Sequence, residues 1–205
     1  MKIEVINASK VYSKQQIFAG IDFSFSQGKH LITGGNGSGK STLLRCLSGM
    51  EKCSEGNIIW KIQDTEIKRE QLFKHIALCA PAIGLYEELT LKELYHLVNG
   101  FRPLVFSQFS DFVDALALPR KKILGKKKVS NFSSGMKQRV KLLLALSMES
   151  EFVFLDEPAS NLDNTATKWY WETCEQLTQN KILVVASNQP EIEAPFCQPA
   201  LTLNP

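Results

Sequence analysis

The glycine-rich stretch TGGNGSGKST constrains this 205-residue chain more than any other feature. It follows the apolar run Leu31–Thr33 and leads into a helical pattern over Lys40–Ser48. The residues that fit the pattern G-x-x-x-x-G-K-[ST] are Gly34, Gly39, Lys40 and Ser41. Glycines let the backbone curl until successive N–H groups point at one anion, and the following helix adds its dipole. The stretch therefore predicts a strand, a phosphate-binding loop and a helix in succession.

The same loop predicts a nucleoside triphosphate as the ligand, with ATP and Mg²⁺ as the expected pair. Lys40 is expected to reach the β- and γ-phosphates, and the Ser41 hydroxyl to bind Mg²⁺. The expected nucleotide-binding residues of the loop are Gly34, Gly35, Asn36, Gly37, Ser38, Gly39, Lys40, Ser41 and Thr42. The alternative interpretation is a glycine-rich turn that precedes a helix by chance.

The stretch EFVFLDEP places two adjacent carboxylates, Asp156 and Glu157, at the end of the apolar run Phe152–Leu155. A phosphate-loop enzyme needs an acid at the end of a neighbouring strand, and Asp156 fits the role of holding Mg²⁺ through a water. Glu157 lies one residue further on, where a carboxylate can orient and deprotonate a water that attacks the γ-phosphate. The alternative is a solvated pair that caps the next helix.

The pattern of elements along the chain predicts an α/β fold with a helical insertion. Strands are expected near Ile3–Ile6, Ile21–Phe25, Leu31–Thr33, Asn57–Lys61, Ile76–Ala80, Phe152–Leu155 and Ile182–Ala186. The tail APFCQPALTLNP has the pattern of a loop that can include a last strand. Helices are expected near Lys40–Ser48, Leu91–Val98, Ser107–Ala117, Ser134–Met148 and Thr165–Leu177. The segment from about 85 to 150 is therefore mostly helical and interrupts the run of strands.

Composition limits the cellular setting and the partners. The net charge of +3 is too balanced to argue for nucleic acid or an anionic membrane. The five cysteines are scattered and form no CxxC pair, which is typical of reduced thiols in a cytosolic protein. No apolar run approaches the ~18 residues that a membrane helix needs. A cytoplasmic protein is expected, although it can still lie against a membrane through a partner.

The stretch NFSSGMKQRVKLLLAL resembles the LSGGQ signature of the ABC-type ATPases, the nucleotide-binding domains of ABC transporters. The resemblance covers nearly the whole chain and implies a P-loop NTPase (RecA-like) α/β core with an N-terminal antiparallel β subdomain and an inserted α-helical subdomain. Residues 1–205 then form a single ABC-type domain. In the family, the signature of one subunit closes over ATP held by another, so Ser133 and Gly135 are expected to contact the γ-phosphate across a dimer. Ser134, which replaces a glycine of the signature, is also expected to bind the nucleotide. The alternative is an ordinary N-capped helix.

Three softer matches extend the resemblance. The segment SNLD, Ser160–Asp163, resembles the D-loop that lies along the family's dimer interface. Tyr12 stands where the family places an aromatic ring against adenine, and a core or surface tyrosine is the alternative. The segment Gly84–Leu94 resembles the region where transporter ATPases contact their membrane partner.

The chain also departs from the family pattern. The family has a Mg²⁺-ligating glutamine after the strand near Ala80, whereas this chain has none between Ile76 and Thr90. Asn188 replaces a histidine that touches the γ-phosphate; it keeps a hydrogen-bond donor but cannot carry a proton. Loss of one transition-state contact lowers a rate by about 10²–10³-fold. Slow but non-zero hydrolysis is therefore expected, with Glu157, Lys40 and Asn188 as catalytic residues, unless neighbours such as Gln189 compensate.

The resemblance implies the ATP-binding and hydrolysing subunit of an ABC transporter, which converts ATP and water to ADP and phosphate. It would form a homo- or heterodimer on ATP and drive a separate membrane-spanning subunit, peripheral on the inner face of the cell membrane. One alternative is a soluble ABC-type ATPase acting on nucleic acid or ribosomes, for which only the basic run Leu118–Lys128 argues. A small-molecule kinase shares the phosphate loop but does not explain the signature helix.

Overall fold

The computed structural model describes residues 1–204 of the chain, which divide into two compact units. The first unit comprises Met1–Leu78, Ser150–Glu157 and the chain from Thr178 onward. The second comprises Cys79–Glu149 and Pro158–Leu177. The prediction of one domain with a helical subdomain near 85–150 stays a prediction.

Strands predominate in the first 80 residues, helices follow up to residue 147, and strands and helices alternate from there on. The strands are β1 (Lys2–Tyr12), β2 (Gln15–Ser26), β3 (Gly28–Gly34), β4 (Glu55–Ile62), β5 (Thr65–Ile67), β6 (Ile76–Cys79), β7 (Phe152–Asp156), β8 (Ile182–Ser187) and β9 (Gln198–Leu203). The helices are α1 (Lys40–Leu47), α2 (Leu91–Phe101), α3 (Phe109–Ala115), α4 (Arg120–Ile123), α5 (Ser134–Ser147), α6 (Asn164–Leu177) and α7 (Pro190–Glu193). Two 3₁₀ turns lie at Arg69–Lys74 and Val129–Asn131.

An antiparallel sheet of the first unit has the strand order β2-β1-β4-β5. Strand β1 pairs with both β2 and β4, and its register shifts after Val5 in the first pairing and after Ile6 in the second. Apolar residues such as Ile3, Val5 and Phe25 alternate toward one buried face, which is the pattern of a sheet with one solvated side. The predicted N-terminal antiparallel arrangement is confirmed.

The second sheet has the order β6-β7-β8-β3-β9 and contains the parallel pairs that position the phosphate loop. In the register of these pairs, Asp156 lies opposite Ala186 and Thr33 opposite Ser187. All residues of β7 and β8 are buried, as expected of central strands in a parallel sheet. The ends of β3, β7 and β8 therefore meet at one edge, which brings the residues that follow them together.

The second unit is helical, and its helices α2 and α5 carry side-chain caps at their N-termini. Thr90 and Glu93 form a capping box at α2, since each side chain bonds the other's backbone N–H. Ser133 caps α5 by accepting a hydrogen bond from the Met136 N–H at 3.3 Å. Among the helices of residues 1–204, none is long and apolar enough to cross a membrane.

The structure agrees with the predicted class and contains the seven strands and five helices that the sequence predicts. The helix ends agree within about three residues, whereas β1 continues six residues beyond its predicted end at Ile6 and β2 begins six residues before its predicted start at Ile21. The tail also forms the expected last strand, β9. Sequence patterns did not indicate β5, a three-residue strand that pairs with β4. Such a short edge strand carries too little alternation to separate it from a turn.

Candidate functional site

The phosphate loop runs from the end of β3 into α1 and depends on glycine at two close approaches. Gly34 has a φ of 152°, and a Cβ there would lie 2.5 Å from the Leu203 carbonyl oxygen. Gly39 has a φ of 96°, and a Cβ there would lie 2.8 Å from Cγ2 of Ile17. Both values are below ordinary van der Waals contact, so larger residues require the loop to shift.

Lys40 lies folded across the loop. Its ammonium group donates hydrogen bonds to the carbonyl oxygens of Gly34, at 2.9 Å, and Gly35, at 2.8 Å. The residue is only 5% exposed, so these bonds hold a nearly buried charge at the concave side of the loop. An ammonium has three donors, which leaves one for a further acceptor such as a phosphate oxygen.

Asp156 ends β7 beside the first residues of α1. Its side chain is buried, and burial raises its pKa while a hydrogen bond with Ser41 works to lower it. Its Oδ1 atom has no hydrogen-bond partner among the described residues. A buried carboxylate oxygen without a partner carries a large desolvation cost unless a ligand satisfies it. The pair Asp156 and Ser41 offers the oxygen donors that Mg²⁺ prefers, so the residues present fit this metal.

Glu157 follows directly and turns the chain out of the sheet. Its backbone adopts the left-handed conformation at a φ of 46°, and its N–H donates to the Ala186 carbonyl oxygen at 3.0 Å. This conformation is uncommon for a residue other than glycine, and such strain is typical of functional positions. The Glu157 side chain reaches the same cavity as the phosphate loop.

That cavity has a volume of about 360 Å³. Its lining residues are Ile17, Asn36, Gly37, Gly39, Lys40, Ser41, Thr42, Glu157 and Asn188. The structure thus brings together most of the loop residues and the two residues expected after β7 and β8. Ile17 of β2 is the lining residue that the sequence did not indicate, because its place depends on how β2 passes the loop.

Asn188 lies in the turn after β8 and bonds the phosphate loop. Its side-chain amide donates to Oδ1 of Asn36 at 2.7 Å. The preceding Ser187 holds the turn: its hydroxyl donates to Glu193 and accepts from the Gln189 N–H at 2.9 Å. The turn therefore presents an amide, rather than an imidazole, to the cavity.

Tyr12 is not one of the described residues that line this cavity. Its hydroxyl donates instead to Glu51, and the Lys10 ammonium lies 4.8 Å from the centre of its ring. The residue as a whole is 38% exposed at the end of β1. Contact between Tyr12 and adenine stays a prediction.

The signature residues lie in the second unit, at the start of α5. Ser133 is the cap, and Ser134 and Gly135 form the first turn. A Cβ on Gly135 would lie 3.0 Å from the Asn161 carbonyl oxygen, so the start of α5 packs closely on the SNLD segment. Gln138 of the same helix donates to the carbonyl oxygen of Pro158, just before that segment, at 2.8 Å. The start of α5 and the segment that follows Asp156 and Glu157 are therefore held together by packing and by a hydrogen bond within this unit.

Comparison with known proteins places this site in a family. The model of the ABC transporter family matches residues 18–160. The chain is 30% identical to the phosphonates import ATP-binding protein PhnC of Fusobacterium nucleatum, over 98% of this chain and 88% of that protein. It is 28% identical to an uncharacterized ABC transporter ATP-binding protein, YybJ, of Bacillus subtilis, over 98% and 92%.

Solved structures agree on the fold. The dimeric structure of MJ0796, a bacterial ABC transporter cassette, superposes with a TM-score of 0.80 at 21% identity and covers 98% of this chain and 94% of its own. A protein of Pyrococcus furiosus described as a putative ABC transporter ATP-binding protein superposes with a TM-score of 0.79 at 22% identity, over 100% and 97%.

Proposed function

The chain belongs to the ABC transporter family of ATPases, and we propose that it is the ATP-binding and hydrolysing subunit of a transporter whose membrane-spanning part is a separate protein. The observation that carries the proposal is the buried Oδ1 of Asp156, which has no partner among the described residues and lies beside Ser41. This arrangement matches a site for Mg²⁺ bound to a triphosphate.

The loop residues bind the phosphates in this proposal. Backbone N–H groups of Gly37, Gly39 and the start of α1 face the anion, and Lys40 contributes its remaining donor. Ser41 and Asp156 hold Mg²⁺, which when bound neutralises charge that develops on the phosphate oxygens. Binding depends mainly on these residues and not on the positions where the chain departs from its family.

Glu157 is the proposed base. Its carboxylate lines the cavity with the loop, where it can orient a water molecule and accept its proton as the γ-phosphate is attacked. Asn188 supplies a neutral donor to the same cavity. A neutral amide stabilises a developing negative charge less than a protonated imidazole does, so we expect slow turnover.

Two copies are proposed to enclose the nucleotide. Ser133, Ser134 and Gly135 of one copy would contact the γ-phosphate held by the loop of the other, because a helix start presents N–H groups to an anion. ATP binding would then close the dimer, and hydrolysis would reopen it.

A membrane protein is the proposed partner, and the chain would lie at the inner face of the cell membrane through it. The relatives named as import proteins support this class of partner without identifying a substrate. The basic run that invited a nucleic-acid alternative is partly neutralised. Arg120 pairs with Asp114 at 2.6 Å and Lys128 with Glu88 at 3.0 Å, which leaves fewer cations for phosphates.

Steady-state phosphate release from the purified chain tests the proposal. Wild type should release phosphate in the presence of Mg²⁺ and ATP, and removal of Mg²⁺ with a chelator should abolish release. Glu157→Gln should lower the rate by about 10²-fold or more while ATP binding persists. Glu55→Gln, at an exposed carboxylate of β4, is the matched control and should behave as wild type. Equal rates for Glu157→Gln and wild type would refute the assignment of the base.

A further inference from the structure

Four side chains of the first unit form a connected group around Glu51, which we call the Glu51 cluster: Lys10, Tyr12, Arg45 and Glu51. Lys10 Nζ lies 2.8 Å from Oε1 of Glu51, and Arg45 Nε lies 3.2 Å from Oε2. The Tyr12 hydroxyl donates to Oε1. One carboxylate therefore accepts hydrogen bonds from three side chains, two on β1 and one on α1.

The charge of Glu51 is fixed by this setting. Partial burial works to raise its pKa, but hydrogen bonds from Lys10, Tyr12 and Arg45 lower the pKa to about 2. The same contact raises the pKa of Lys10. Both groups are charged at neutral pH, so the acceptor for the Tyr12 hydroxyl is always ionised and its hydrogen bond is charge-assisted.

The cluster holds the Tyr12 ring in one orientation. The hydroxyl is bound at Glu51, and the Lys10 ammonium lies 4.8 Å from the ring centroid. Lys10 is itself only 9% exposed and also donates to the Lys52 carbonyl oxygen at 2.7 Å, so it is a fixed support. Tyr12 as a whole residue is 38% exposed, so part of its side chain remains available to a planar ligand.

The cluster is also connected to the nucleotide cavity through a hydrogen bond. The Arg45 guanidinium donates to Oγ1 of Thr42 at 3.0 Å, and Thr42 lines the cavity. Glu51 thus contacts Tyr12 directly and Thr42 through Arg45. Apart from Thr42 and Tyr12 at its two ends, this connection contains none of the residues that are assigned above to the catalytic base, to Mg²⁺ or to the phosphates.

We infer that Glu51 is a positioning residue for nucleotide recognition, which fixes the Tyr12 ring against the base of ATP and ties that ring to the helix of the phosphate loop. The inference rests on the proposed function, since it takes ATP as the ligand, and on the predicted contact between Tyr12 and adenine. Its consequence is that loss of Glu51 weakens binding of the base and leaves binding of the phosphates nearly unchanged.

Equilibrium binding of two ligands to the purified chain separates these contributions. Mg²⁺-ATP carries base and phosphates, whereas Mg²⁺-tripolyphosphate carries the phosphates alone. Glu51→Ala should weaken ATP binding by roughly tenfold, because it removes part of the free energy that base–aromatic stacking contributes. It should change tripolyphosphate binding by less than about twofold, because that ligand has no base. Tyr12→Phe keeps the ring but removes the hydroxyl, so it should show the same selective loss.

The double variant tests whether the two residues act together. Glu51→Ala combined with Tyr12→Phe should bind ATP no more weakly than the worse single variant, because both remove one interaction. Glu51→Gln keeps an oxygen acceptor for the hydroxyl and should recover part of the loss. Glu55→Ala is the matched control on an exposed carboxylate and should bind both ligands as wild type does.

The outcomes distinguish the inference from the proposed function. If the losses of ATP affinity in the two single variants add up in the double variant, the inference is overturned while ATP binding stands. The same holds if Tyr12→Phe weakens the binding of ATP and of tripolyphosphate equally. Equal affinity of wild type for both ligands would also overturn it, since no base contact would exist. A wild type that binds neither ligand would refute the proposed function itself. If Glu51→Ala fails to fold, Tyr12→Phe and Glu51→Gln still give the decisive comparison.

Discussion

The side-chain amide of Asn188 donates to Oδ1 of Asn36 at 2.7 Å and joins the turn after β8 to the phosphate loop. The bond links two residues 152 positions apart in the chain. The bond uses one of the two N–H donors of the Asn188 amide and leaves the other for a phosphate oxygen. Both donors are neutral, so this position offers no positive charge to the phosphates.

Replacement of Asn188 by His should raise the rate of hydrolysis. An imidazole can carry a positive charge and stabilise the charge that develops on phosphate. We expect kcat to rise by about tenfold, which is less than the 10²–10³-fold of one full transition-state contact because Asn188 already supplies a neutral donor. KM should change little, because Lys40 and the loop bind the nucleotide. Phosphate release at saturating ATP measures this change.

Asn188→Ala is the companion variant, which removes the donor and should lower kcat below that of wild type. A His variant with the wild-type rate would show that the group at this position does not limit turnover. In that case the missing glutamine near Ala80 becomes the leading cause of slow hydrolysis.

The loop glycines should differ sharply in their tolerance of alanine. Gly39→Ala places a Cβ 2.8 Å from Ile17 and imposes a side chain at a φ of 96°, so we expect loss of measurable ATP binding. Gly35 has no described atom within 4 Å of its Cβ position and is the matched control. Calorimetric titration with ATP compares the two variants, and equal affinities would contradict the steric argument.

The signature helix should be necessary for ATP-dependent dimerisation. Glu157→Gln with Mg²⁺ and ATP should elute as a dimer, because binding persists while hydrolysis is slowed. Adding Ser134→Glu places a carboxylate at an exposed position of the first turn of α5, where it would repel a γ-phosphate. The double variant should remain monomeric by light scattering yet bind ATP, whereas Ser130→Glu, also exposed, should still dimerise.

Much of this site was predictable because its motifs are local in sequence. The phosphate loop, β7 with Asp156 and Glu157, and the capped start of α5 each depend on neighbours within a few residues. The Glu51 cluster and Ile17 were not predictable. Glu51 meets Lys10 across 41 residues, and the place of Ile17 depends on the shifted register between β1 and β2. Long-range pairing of this kind leaves no periodic pattern in the sequence.

Arg139 should be among the most important polar residues for stability of the second unit. Its guanidinium donates to the carbonyl oxygens of Leu116 and Ala117 and lies 5.0 Å from the Trp169 ring centre. Arg139→Met removes these contacts at a position 7% exposed, so we expect a loss of about 2–4 kcal/mol in unfolding free energy.

Urea denaturation measures that loss. The control is Lys137→Met, two residues earlier on α5. This variant loses a single partly exposed ion pair with Glu87 at 2.7 Å. The control should cost under about 1 kcal/mol. Similar losses for both variants would show that the buried contacts of Arg139 add nothing beyond a surface ion pair.

The stabilising effect of Glu51 should depend on pH in a defined direction. Its pKa is lowered from 4.5 to about 2 in the folded chain, so its contribution is fully present above pH 4.5 and is lost as the pH falls toward 2. Glu51→Gln removes the charge but keeps the shape. At pH 7 the variant should be less stable by about 1–2 kcal/mol after allowance for solvent screening. Denaturant unfolding at pH 7, 5 and 3.5 should show this difference shrinking only at the lowest pH, and a difference independent of pH would exclude the ion pairs as its source.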